Sequence, residues 1–161
     1  MRPVDARELV GRPGSVRSVT VAEPVDGLET GLASMPGDVR ARLDMEGVED
    51  GVVAQGMLEG SMTLTCARCL KTFEQSFVSE VRETFALRAG DDEYPVSGDG
   101  EIDLEPMVRD AVILEMPFSP LCRPDCLGLC ARCGGDRNLS ECTCQPEERD
   151  SRWAALDQLI D

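Results

Sequence analysis

The chain holds eight cysteines and no histidine. The cysteines fall into four close pairs: Cys66-Ala-Arg-Cys69, Cys122 and Cys126 with three residues between them, Cys130-Ala-Arg-Cys133, and Cys142-Thr-Cys144. A C-x-x-C turn brings two sulfurs to one side of a tetrahedron while backbone N–H groups point at them. Two such pairs complete a zinc shell. Eight sulfurs divide into two full tetrahedra, so the expectation is two Zn²⁺ per chain, each held by four thiolates. Cys130, Cys133, Cys142 and Cys144 are close enough in sequence to build a compact ribbon. Cys66 and Cys69 would then join Cys122 and Cys126 across the fold. The reverse pairing, in which the Cys66 knuckle joins Cys130 and Cys133, competes with it on sequence alone.

Other uses of cysteine make other demands. A disulfide framework needs an exporting signal, and MRPVDARELVGRPGS offers neither an apolar run nor a cleavage pattern. Redox chemistry at C-x-x-C belongs in a thioredoxin-like βαβ context, whereas the residues around Cys66 read as strand, turn, strand. Cys126, Cys130 and Cys133 have the spacing of a radical-SAM iron–sulfur motif, but such enzymes are built on most of a β/α barrel. A structural or sensing iron–sulfur cluster stays open on spacing alone. Catalytic zinc keeps one open position and usually three protein ligands. Four thiolates close the shell, which points to a structural metal. Without histidine, Ser-His-Asp and Cys-His centres are excluded and the commonest general base is missing. The expectation is a non-enzyme with no small-molecule substrate.

The formal charge is −15, and two zinc ions on eight thiolates would take it to about −19. Such a chain repels bulk polyanions, which argues against coating nucleic acid by charge alone. The stretches around the knuckles are the least acidic. Arg68, Lys71, Arg132 and Arg137 are therefore the candidate contacts to RNA or to an acidic partner face, with an ordinary solvated surface as the competing reading. Apolar residues make up 42% and aromatic residues 4%. The core they allow is real but small, and bound metal would staple it. No apolar stretch is long enough to span a bilayer. The expected location is the cytoplasm, where thiols stay reduced.

The elements that must position these residues are mostly strands. Asp5–Val10 can make one helical turn, Ser15–Val25 reads as an edge strand ended by Pro24, and residues 26–38 read as a loop. From Val39 to Glu46 the chain alternates strictly between apolar and polar, the period of a half-buried strand. Gly47 and Glu49-Asp50-Gly51 turn it, Val52–Leu58 pairs back, and Gly60 breaks that strand before Met62, Leu64 and Cys66 alternate again. Phe73–Leu87 puts Phe73, Phe77, Val81 and Phe85 on one face and reads as a strand. The first knuckle then sits at the tip of a hairpin. Residues 89–100 read as an acidic, glycine-rich, mobile loop. Asp103 offers an N-cap for a helix near 103–116 with Leu104, Met107, Val108, Ala111 and Leu114 on its packed face, stopped by Pro117. Asp150 or Ser151 caps a last helix bearing Trp153, Leu156 and Ile160. The expected fold is α+β: a bent antiparallel sheet, a partial barrel, with a packing helix in residues 1–117. A zinc-stapled cysteine-rich segment with the C-terminal helix fills 118–161.

In order and spacing, several motifs resemble the YceD family of bacteria and plastids, the large ribosomal RNA subunit accumulation proteins. They are Cys66-Ala-Arg-Cys69-Leu70, Ile102-Asp103-Leu104, Pro117-Phe-Ser-Pro120-Leu-Cys122, Asp125-Cys126-Leu-Gly128-Leu-Cys130-Ala-Arg-Cys133-Gly134, Cys142-Thr-Cys144 and Ser151-Arg152-Trp153-Ala154-Ala155-Leu156. The resemblance runs from about residue 40 to the C-terminus. It implies a role in 23S rRNA accumulation and large-subunit assembly, with a large-subunit ribosomal protein or rRNA as partner. It transfers no catalytic residue. The alternative function is a thiol- or metal-responsive sensor whose fold loosens when zinc leaves.

Overall fold

The computed structural model describes residues 1–90 and 93–144. The chain forms β1 (Val4–Asp5), β2 (Val16–Pro24), β3 (Ala33–Ser34), β4 (Asp38–Val48), β5 (Gly51–Thr65), β6 (Thr72–Ala86), β7 (Tyr94–Pro95), β8 (Glu101–Ile102) and α1 (Glu105–Glu115). The main sheet runs in the order β2-β4-β5-β6-β7, with β3 laid against the far end of β5. β1 and β8 pair separately. The predicted C-terminal helix lies outside the described residues.

Alternation builds the sheet as expected. Val39, Ala41, Leu43 and Met45 of β4 are buried and the residues between them are exposed. Phe77, Val81 and Phe85 of β6 point the same way. A one-residue slip would exchange the two faces, so this burial pins the register. β5 pairs with β6 without interruption from Gly51↔Ala86 to Thr65↔Thr72. The inner face is covered by α1, through Met107, Val108 and Val112, and by Leu28, Ala33 and Met35 of the segment before β4.

Several expectations need correction. The sheet is open, with β2 and β7 as its ends, so the partial barrel does not form. β7 also pairs parallel to β6. Gly60 does not break β5. A Cβ there would lie 2.8 Å from the Phe77 ring, so the glycine makes room for that ring. Gly47 is inside β4 and not in the turn; its N–H donates to the Ser15 carbonyl, and a Cβ would meet the Leu9 carbonyl at 2.3 Å. The loop at 26–38 carries β3, and part of the predicted mobile loop packs as β7 with Val96 buried beside it.

The N-cap of α1 is Leu104, without a side-chain cap. Asp103 stands one residue earlier and accepts from the Glu105 N–H at 2.9 Å. Val112 is buried, whereas Leu114 is 86% exposed. At about 100° per residue, Leu114 falls roughly 90° from the middle of the packed stripe. Among the described residues no helix is long and apolar enough to cross a membrane.

Candidate metal centres

The long β5–β6 hairpin carries Cys66 and Cys69 at its tip. The Cys66 N–H donates to the Lys71 carbonyl at 2.9 Å, and the Leu70 N–H to the Cys66 carbonyl at 2.9 Å. The second C-x-x-C repeats this wiring. The Cys130 N–H donates to the Gly135 carbonyl at 2.8 Å, and the Gly134 N–H to the Cys130 carbonyl at 2.9 Å. Both turns need a left-handed residue just after the second cysteine. Gly134 takes it at φ 70°, as glycine does freely. Leu70 takes it at φ 58° and is 59% exposed, which is strained for a side chain bearing a Cβ.

Of the two pairings open in the sequence, the structure builds the first. Cys66, Cys69, Cys122 and Cys126 converge in one cluster, and Cys130, Cys133, Cys142 and Cys144 in another, the sulfurs of each lying within 4.8 Å of one another. The triplet with radical-SAM spacing is therefore split between two clusters. Sulfur separations are 3.8 Å for Cys66–Cys126, 3.7 Å for Cys69–Cys122, 3.7 Å for Cys133–Cys142 and 3.3 Å for Cys130–Cys142. Four sulfurs around one Zn²⁺ at about 2.3 Å in a tetrahedron stand about 3.8 Å apart. A disulfide would need about 2.05 Å, and all eight cysteines are free. The donor sets fit single metal ions.

The first cluster is buried. Cys66 is 0%, Cys126 2% and Cys69 9% exposed, packed with Phe73, Leu121 and Leu129. In the second, Cys133 and Cys144 are exposed. The thiols of each cluster are unequal in the same way. The backbone N–H of Cys122, joined by those of Cys69 and Arg68, brings Cys66 down to about 6 against its burial. The N–H groups of Cys133 and Arg132 bring Cys130 down to about 6. Burial, with hydrogen bonds to the other three thiols, pushes Cys122 up to about 12. Hydrogen bonds to Cys142 and Cys133 lead in pushing Cys144 up to about 12. Each knuckle thus prepares one thiolate, while four anionic sulfurs at this spacing need a cation among them.

The hairpin tip and the segment after α1 are sewn together by backbone. The Ala67 N–H donates to the Pro120 carbonyl at 2.8 Å, and the Leu129 N–H to the Arg68 carbonyl at 2.9 Å. Gly128 sits at φ 73°, where a Cβ would lie 2.9 Å from that same Arg68 carbonyl. The Arg68 guanidinium donates to the Cys126 carbonyl at 2.9 Å, so it braces the first cluster. Lys71, Arg132 and Arg137 are exposed, with no carboxylate at ion-pair distance among the described residues.

Sequence reasoning missed Asn138 as a site residue. Its amide joins Asp136, Arg123, the Leu127 backbone and the Cys126 sulfur. The available signal was Asp136-Arg137-Asn138, two turn-forming side chains between cysteine pairs.

The family model of the large ribosomal RNA subunit accumulation protein YceD matches residues 54–160. The chain belongs to the YceD family. The match begins inside β5 and takes in the hairpin, α1 and all eight cysteines. An uncharacterized protein of Mycobacterium tuberculosis, Rv2926c, is 36% identical over 98% of this chain and 80% of its own length. The uncharacterized protein YlbN of Bacillus subtilis is 26% identical over 78% of this chain and 74% of its own. A chloroplastic YCED homolog 1 of Arabidopsis thaliana, named a large ribosomal RNA subunit accumulation protein, is 37% identical over 37% of this chain and 18% of its own. No solved structure matches. The YceD name describes an accumulation factor and not an enzyme.

Proposed function

We propose that this YceD protein is a non-enzymatic, cytoplasmic factor that supports 23S rRNA accumulation and large-subunit assembly, with two structural Zn²⁺ held by its eight cysteines. The observation that carries the rRNA role is the family match over 54–160, together with the plastid relatives' name. The zinc reading rests on two all-thiolate sets whose sulfurs lie within 4.8 Å of one another, four of the separations being 3.3–3.8 Å. An iron–sulfur cluster divides its cysteines among several irons and so spreads their sulfurs more widely than a single ion does. Cys66, Cys69, Cys122 and Cys126 would hold one ion, and Cys130, Cys133, Cys142 and Cys144 the other. The metal would supply charge neutralisation and a cross-link between the hairpin tip and the segment after α1. We take residues 1–117 as the sheet domain and 118–161 as the metal-bearing unit docked on it.

The partner is a basic ribosomal protein or rRNA of the large subunit. Among the described residues Lys71, Arg132 and Arg137 have no carboxylate at ion-pair distance and are the candidates to meet phosphate or carboxylate, and Arg68 contributes less because its guanidinium is engaged. Deleting the gene should lower 23S relative to 16S rRNA, and an unchanged ratio would sink the assembly role. Elemental analysis of reductively purified protein should find two zinc per chain; iron or four disulfides would sink the metal reading. A sensor is the second reading, favoured by the exposure of Cys133 and Cys144. It predicts that a mild oxidant at physiological concentration releases zinc and changes the set of bound partners.

A further inference from the structure

We infer that Asn138 couples the two metal centres, so that filling the exposed one strengthens the buried one. The inference rests on the metal reading above and adds a direction of communication to it. Asn138 lies in the segment between Cys133 and Cys142, which the exposed centre closes into a ribbon. Yet its side chain serves the other centre: the Nδ2 amide group donates to the Cys126 sulfur at 3.6 Å.

The amide's orientation is determined by its neighbours. Oδ1 accepts from the Arg123 guanidinium at 2.7 Å and from the Leu127 N–H at 2.8 Å, while Nδ2 also donates to Asp136 Oδ1 at 2.6 Å. A flipped amide would set N–H against two donors and oxygen against a carboxylate. The four contacts therefore agree on one orientation, with an N–H directed at a ligand sulfur.

The position of Asn138 depends in turn on the ribbon. Its own N–H donates to Asp136 Oδ1 at 2.9 Å, the Arg137 N–H donates to the Gly128 carbonyl at 3.0 Å, and Leu129 bridges to Asp136. Those bonds span residues 128–138, and Cys130, Cys133 and Cys142 lie within or just beyond that span. With no metal on those sulfurs, few apolar contacts hold the ribbon, since Cys133, Gly134, Gly135, Leu139 and Ser140 are all exposed. Hydrogen bonds from the surrounding shell orient metal ligands and tune their affinity, and losing one typically costs about 10–100-fold in metal binding. Asn138 is thus a positioning residue for the buried centre, held in place by the exposed one.

The test follows transfer of zinc from the full, zinc-loaded chain to a chromophoric chelator. The wild type should release in two phases, with the buried centre as the slow one. Asn138→Ala should still bind two metals, with the slow phase about 10–100-fold faster. In the cobalt(II)-substituted protein, losing the N–H···S bond should also move the sulfur-to-cobalt charge-transfer band to longer wavelength. Cys142→Ser, which leaves Asn138 itself intact, should speed release from the buried centre by a similar factor. If the coupling runs through Asn138, the double variant should be no faster than either single one.

An unchanged slow phase and an unchanged band in Asn138→Ala would overturn the inference. So would a Cys142→Ser protein that releases its remaining metal at the wild-type slow rate, and this variant carries the test alone if Asn138→Ala does not fold. A wild-type chain that takes up no metal would defeat the metal reading, and the coupling with it.

Discussion

The two cysteine clusters share a knuckle and differ in their surroundings. Cys66-Ala-Arg-Cys69 and Cys130-Ala-Arg-Cys133 make the same pair of backbone hydrogen bonds and hold their first cysteine at about the same depressed pKa. One is mounted on a long hairpin and sealed by Phe73, Leu121 and Leu129; the other stands on a ribbon with two exposed sulfurs. Local sequence thus sets the wiring of a knuckle, and tertiary packing sets how firmly a metal would be kept there. The buried cluster ties the sheet to the segment after α1, a job for a permanent cross-link. Among the described residues, the exposed cluster organises its own ribbon and reaches the rest of the molecule through Asn138, Gly128 and Leu129.

The comparison can be broken most forcefully at the ligands. Cys126→Ser should cost about 3–5 kcal/mol of stability in zinc-loaded protein, and Cys144→Ser only about 1 kcal/mol, read by chemical denaturation. Equal losses would mean that burial does not separate the two centres. Gly128→Ala comes next. It strains the left-handed backbone and pushes a Cβ onto the Arg68 carbonyl, so it should cost about 2 kcal/mol and part the hairpin tip from the segment after α1. Loss of amide protection at Leu129, measured by hydrogen exchange, would mark the parting.

Exchanging the residues after the knuckles is a finer test. Leu70→Gly should be neutral or stabilising by up to about 1 kcal/mol, and Gly134→Leu destabilising by about the same amount. If Leu70→Gly reduces 23S rRNA accumulation in cells while the fold stays intact, the strained and exposed leucine serves a partner.

The smallest effect concerns acid. Backbone and side-chain N–H groups of Asn138 hold the Asp136 carboxyl below its ordinary value. A carboxyl with a lowered folded-state pKa stabilises fully above its unfolded pKa and loses that contribution as pH falls through the folded one. The Tm difference between wild type and Asp136→Asn should therefore be constant near neutrality and shrink below about pH 4. A difference that grows on acidification would contradict the assignment.

Much of the sheet was legible because one face is buried and the other is wet, so alternation from Val39 to Glu46 and the aromatic spacing of β6 carry the signal directly. Glycines misled where close approach mattered more than turning. Gly47 and Gly60 read as breaks, yet they lie inside strands because another chain segment or a Phe77 ring occupies the space of a Cβ. Leu114 misled because helical periodicity names a face without saying how far the sheet extends beneath it.

The sequence by itself determined that eight thiols come as four pairs, that two pairs are knuckles, and that one knuckle caps a hairpin. These are properties of neighbouring residues, where turn geometry and alternation act within a few positions. Which pairs meet was left to the tertiary structure. Cys66 and Cys126 stand 60 residues apart, and Cys69 and Cys122 stand 53 apart. Only the docking of Ala67 on Pro120 and of Leu129 on Arg68 brings them together. Burial of the first cluster, exposure of the second, and the reach of Asn138 from one to the other follow from that docking. Packing between distant segments decided them, and no short-range pattern encodes it.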